Sequence, residues 1–160
     1  NKVQPVAADA CMSNNEGIIM LSALLEVILV DESIKLRALD ELRRASRGND
    51  YLMADPDLTT LSANGASVTV VGLDAEAIHR AIEGYAVDQK NGEAREIRDL
   101  SGVYVIRTPA LRFPNGLSYW IEEAQDGVYR VSLYSWSVYG SRDYGVNRSH
   151  LETLADQLVQ

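Results

Sequence analysis

The chain has 160 residues, 46% of them hydrophobic, which suits one domain with a buried core and not two large ones. A formal net charge of −8 and a pI near 4.7 argue against unaided binding to nucleic acid or anionic lipid, because both demand a basic face. The single cysteine, Cys11, rules out an internal disulfide and leaves the redox compartment unread.

Residues 1–16 are polar and small and read as a flexible leader. The chain starts at Asn1 and not at Met, so a piece upstream is expected to have been removed, by natural processing or by design. The longest apolar run, Gly17 to Val30, spans about 14 residues and contains Glu26. A bilayer takes roughly 20, so no transmembrane span is expected there. Within it, Ile18, Leu21, Leu24, Leu25 and Ile28 fall at helical spacing, although Glu26–Val30 also suits a strand.

Asp31 then offers an N-cap, and Ile34, Leu36, Leu39 and Leu42 give a second or continued helix that Gly48 stops. Arg37, Arg43, Arg44 and Arg47 read as its solvated face. Residues 49–66 have turn composition at Asn49-Asp50, Asp55-Pro56-Asp57 and Asn64-Gly65, with Tyr51–Met53 as a short strand or a loop anchor. Residues 17–66 are therefore expected to form a helical extension and loop, with a boundary before the module at 67–160.

Ser67–Val71 is β-branched, lies between Gly65 and Gly72, and reads as a strand. Asp74 caps a helix running to about Gln89, its stripe made of Ala77, Ile78, Ala81, Ile82 and Tyr85. From Ala94 the period shifts towards two. Strands are expected at Ala94–Asp99, Val103–Thr108, Leu117–Glu123 and Val128–Tyr139, separated by glycine-bearing turns. A closing helix from about Arg148 to Val159 puts Leu151, Leu154, Ala155 and Leu158 on one face. Short hairpins make neighbouring strands antiparallel. The fold class expected is α+β: an antiparallel sheet of four or five strands packed against two helices, with an N-terminal helical extension.

The stretch Ser135-Trp136-Ser137-Val138-Tyr139-Gly140-Ser141-Arg142-Asp143-Tyr144-Gly145-Val146-Asn147 carries a family resemblance. The segment from about Ser67 onward resembles the bacterial and plastid family known as domain of unknown function 1499. Members close with Ser-x-Ser-Arg-x-Gly-x-Ser-Asp-[Phe/Leu]-Gly-x-Asn and a terminal helix. Thr108 to Asn115 is similar to the family's segment ending in Phe-x-Asp-Asp. Three positions depart: Val138 stands for the usual arginine, Arg142 for a serine and Asn115 for an aspartate. If the family arginine and aspartate pair, that pair is missing here, and Arg142 can supply a guanidinium instead. The resemblance implies a bacterial setting and a periplasmic or cell-envelope location, with a cytoplasmic one as the alternative.

Two explanations of the closing run stay open. Gly140 and Gly145 permit unusual backbone angles, and Asp143 and Asn147 bond neighbouring N–H groups in a turn or cap. Alternatively the run is a polar recognition edge with Arg142, Asp143, Tyr144 and Asn147 as candidate binding residues, Arg142 binding a carboxylate or phosphate. Alternation puts Tyr134 and Trp136 on one face of their strand and Ser135 and Ser137 on the other, so the aromatics fill a core or form a binding face. Catalysis by a strand serine with Asp143 and His150 is the enzymatic alternative, although no nucleophile elbow is present. His79 and His150 lie far apart and no ligand spacing recurs, so neither metal nor cofactor is expected. The favoured expectation is a non-catalytic binding or protein-interaction domain, with a protein partner or small-molecule ligand. An inhibitor or immunity protein that blocks a partner enzyme is a further alternative.

Overall fold

A computed structural model describes residues 34–45, 48–109, 112–140 and 142–160. The helix expected over Gly17–Val30 lies outside them. The described residues belong to one compact unit, Ser33–Gln160.

Its centre is a six-stranded antiparallel sheet: β1 Asp50–Met53, β2 Val68–Val71, β3 Glu93–Arg98, β4 Ser101–Arg107, β5 Pro114–Gln125 and β6 Val128–Ser137. The order is β1-β6-β5-β4-β3, and β2 also pairs with β6. β1 covers Leu133–Trp136 and β2 covers Val128–Val131, so two short strands share one edge of β6. The α+β class and the antiparallel sheet hold, and Tyr51–Met53 supplies the sixth strand.

Two helices cover one face. α1, Ala75–Glu83, starts where the Asp74 carboxylate accepts the Ala77 N–H at 2.7 Å. It buries Ile78 and Ile82, then widens into a π-helical turn, Gly84–Gln89, that buries Tyr85 and Ala86. That turn ends where the Gly92 N–H reaches the Ala86 carbonyl at 2.8 Å. A Cβ on Gly92 would stand 2.6 Å from that oxygen, so the close approach requires glycine. α2, Val146–Leu158, buries Leu151, Leu154 and Leu158. The core beneath both helices is Val68, Val70, Tyr104, Ile106, Leu117, Tyr119, Ile121, Val131 and Leu133, which alternate along their strands.

The opposite face is covered as well, and here the sequence reading needs correction. Ile34 to Ala45 is not a helix. It runs extended around a single 3₁₀ turn, Leu39–Glu41, and buries Ile34, Leu36, Leu39 and Leu42. The Trp120 indole N–H donates to the Arg37 carbonyl at 2.9 Å, and the Ala45 N–H donates to the Tyr134 hydroxyl at 2.8 Å. We call this segment the strap. Arg44, expected on a solvated helix face, instead grips the buried Asp50 carboxylate with two bonds of 2.7 and 3.1 Å. The same Asp50 accepts the Tyr134 hydroxyl at 2.9 Å. No helix among the described residues is long and apolar enough to cross a membrane.

Candidate functional site

The closing run folds into a clasp. One Asp143 oxygen accepts the Gly145 N–H and the other the Asn147 N–H, both at 3.0 Å, which fixes the first turn of α2. Asn147 is fully buried. Its carbonyl oxygen accepts the Ser135 hydroxyl at 2.7 Å, and its amide donates to the Asn49 carbonyl at 2.9 Å and the Ser137 hydroxyl at 3.2 Å. The Asn49 amide in turn donates to the carbonyls of Ser137 and Gly140. Helix start, end of β6 and entry to β1 are thus tied by one polar knot, in which both polar ends of the buried Asn147 amide are paired while Asn49 Oδ1 has no hydrogen-bond partner among the described residues.

The clasp has a second consequence. It holds Tyr144 at φ +53°, a left-handed conformation that non-glycine residues rarely adopt, and leaves that residue 91% exposed. At the same end of the sheet is the loop that leads into β5, with Arg112 and Phe113. The Val138 N–H donates to the Pro114 carbonyl at 3.2 Å, and Phe113 meets Tyr139 with ring centroids 6.0 Å apart. Arg112 in this loop also has a positive φ, +56°, and its carbonyl accepts from Arg107 at 3.3 Å. Arg112 and Arg142 are exposed and Phe113 is 48% exposed. Two of the three described non-glycine residues with positive φ therefore lie at this loop end, which joins exposed aromatics to guanidinium groups in an acidic protein.

The six residues singled out from sequence separate into three environments. Arg142 and Tyr144 are exposed at the loop end, and Asp143 and Asn147 build the clasp beneath them. Tyr134 and Trp136 do share a face, stacked at 4.9 Å, but they are 2% and 9% exposed on the side the strap covers. Burial raises the Tyr134 phenol well above its ordinary pKa. Phe113, Arg112 and Tyr139 were not grouped with the site from sequence, since only the pairing of β5 with β6 brings their loops together.

His150 is half-buried on α2, and its Nδ1 has no hydrogen-bond partner among the described residues. Desolvation first, and Lys90 second, push its pKa down to about 4, with Asp143 partly opposing. His79 is pinned at both ends. Its Nε2 donates to the Asp99 carbonyl at 2.6 Å, and in the neutral ring Nδ1 accepts the Tyr119 hydroxyl at 2.6 Å. Tyr119 also hydrogen-bonds Tyr104, whose phenol burial pushes up to about 12. This chain borders a groove of about 590 Å³ between α1 and the β3–β4 hairpin, lined by Glu76, His79, Glu83, Ile97 and Tyr104 among others. Among the described residues no group of three His, Cys, Asp or Glu is placed to hold a metal ion.

No curated protein matches the chain in sequence. A family model described as a protein of unknown function, DUF1499, matches residues 44–158, from the last residues of the strap through the sheet and the clasp to the end of α2. That match takes in most of the described residues, and the chain belongs to the DUF1499 family.

Proposed function

We propose that the chain is a non-catalytic protein-interaction module whose contact surface is the loop end around Tyr144. The observation that carries this reading is the strained, 91% exposed Tyr144, held outward by a buried polar knot. Backbone strain that the surroundings over-determine clusters at functional positions. Tyrosine and arginine are the residue types that anchor protein interfaces, and Phe113, Arg112 and Arg142 join Tyr144 here. The guanidinium groups favour a partner surface that carries carboxylates.

The enzymatic alternative finds little support in the same geometry. Both Asp143 oxygens accept backbone N–H groups, and the Ser135 hydroxyl donates to Asn147 and not to a histidine. A triad needs the serine, the base and the orienting acid bonded in series.

The test is a photo-crosslinking residue placed at Tyr144 in cells that make the protein, with Val71, 70% exposed, as the control position. The reading expects a discrete protein adduct from position 144 that position 71 lacks and that Arg142→Glu suppresses. Equal or absent adducts at the two positions overturn it. An adduct that is an enzyme, inhibited on addition of this chain, would narrow the module to an inhibitor or immunity protein.

A further inference from the structure

β3 is the last strand at its end of the sheet and pairs, among the described residues, with β4 alone. Its residues, Glu93-Ala94-Arg95-Glu96-Ile97-Arg98, are exposed except for the intermediate Glu96. A bare edge of this kind invites pairing, and charges commonly serve to block it. Here the charges have an order that blocking does not require.

The register shifts between Ala94 and Glu96, leaving Arg95 as the extra residue of a bulge. Glu93, Glu96 and Arg98 then lie opposite Val105, Val103 and Ser101, on the face the strap covers. Ala94 and Ile97 lie opposite Tyr104 and Gly102, on the helix face. In a regular strand, residues five apart point to opposite faces. The bulge restores Glu93 and Arg98 to one face.

With that phase the strand is its own complement. Turned about a two-fold axis normal to the sheet and laid antiparallel beside itself, Glu93 meets Arg98 of a second copy. Ala94 meets Ile97, and Arg95 meets Glu96. Each contact recurs by symmetry, as a two-fold interface requires. Opposite charges directly across an antiparallel pair attract, and like charges repel. In the single chain Arg98 folds back on Glu96, the two side chains remaining 59% and 42% exposed. Ile97 and Leu100, at 47% and 48% exposure, add apolar surface at the same edge.

We propose that β3 is a self-complementary edge through which two copies of this chain join into one continuous antiparallel sheet. The experiment is sedimentation equilibrium of the whole chain over a concentration series, with circular dichroism to confirm folding. Wild type, Glu93→Arg, Arg98→Glu, the double variant and an equimolar mixture of the two single variants are compared. Wild type is expected to show a monomer–dimer equilibrium, and each single reversal to weaken it roughly tenfold by setting like charges face to face at two symmetric positions. The double variant restores the pairing, and the mixture forms a heterodimer in which every Glu again faces an Arg. Three outcomes overturn the proposal: a monomer up to millimolar concentration, a dimer indifferent to both single reversals, or single-variant losses that neither the double variant nor the mixture repairs.

Discussion

Asn147 shows how much of this fold hangs on one side chain. Its amide satisfies the Asn49 carbonyl, 98 residues away in sequence, while its oxygen takes the Ser135 hydroxyl, all out of reach of water. Asn147→Ala leaves those partners buried and unmet and is expected to cost about 2–3 kcal/mol in urea unfolding. Asp143→Ala removes only the bonds that fix the first turn of α2, and about 1 kcal/mol is expected. The reverse ranking would mean that the turn, and not the knot, holds the loop end. Sequence did suggest that Asp143 and Asn147 serve a turn or cap; it had no means of naming Asn49, because nothing local links the two. His150 carries the pH prediction. Its native pKa, about 4, lies below the ordinary 6.5, so the unfolded chain binds more protons in that window and stability rises with pH there. Acidification from about pH 6.5 towards 4 should cost on the order of 1–2 kcal/mol, after allowance for the partial exposure of the ring. His150→Gln should flatten that part of the stability profile, and an unchanged slope would assign it to other groups.

At the scale of elements, the strap is the piece whose conformation the chain's own periodicity misstates. Ile34, Leu36, Leu39 and Leu42 fit a helical stripe about as well as an extended run, and Asp31, Glu32 and Gly48 supply plausible helix ends. The choice is made by what lies beneath: the face bearing Val103, Val105, Ser118 and Trp136 is buried, and an extended segment covers it. By contrast α1, α2 and the four strands from β3 to β6 were legible, because each has a single periodic face and clear stop signals. Two positions probe the strap side of the sheet. Arg44→Met leaves Asp50, with a side chain 2% exposed, holding only the Tyr134 hydroxyl and a charge without its counter-ion. Loss of about 3 kcal/mol is expected, near the low end for breaking a buried pair because Arg44 is itself 23% exposed. Gly116 is the second, since a Cβ there would overlap the Trp136 ring. Gly116→Ala should displace that ring, cost about 1–3 kcal/mol and shift the tryptophan emission; unchanged fluorescence would show that the face has slack.

For the molecule as a whole, the decisive feature is that both faces of the sheet are buried: helices pack on one, and the strap is bonded to the other at Trp120, Tyr134 and Asp50. A sheet with one open face would have left Tyr134 and Trp136 as the ligand surface that their alternation suggests. With both faces closed, the exposed features among the described residues include the loop end around Tyr144, the groove beside α1 and the outer edge of β3. The strap is therefore expected to matter for solubility as well as for stability. A chain shortened to begin at Asn49 keeps all six strands and both helices, yet loses Ile34, Leu36, Leu39, Leu42 and the Arg44 partner of Asp50. It would uncover a contiguous apolar patch running from Val105 through Val103 to Trp136, of the kind that drives association. A chain beginning at Ser33 keeps the cover. The two are expected to differ sharply: cooperative unfolding and little binding of a hydrophobic dye for the longer fragment, and strong dye binding with an early, broad unfolding transition for the shorter. Equal behaviour would mean that the helix-side core alone sustains the sheet, and that the strap is an appendage which the family match at residue 44 only happens to touch.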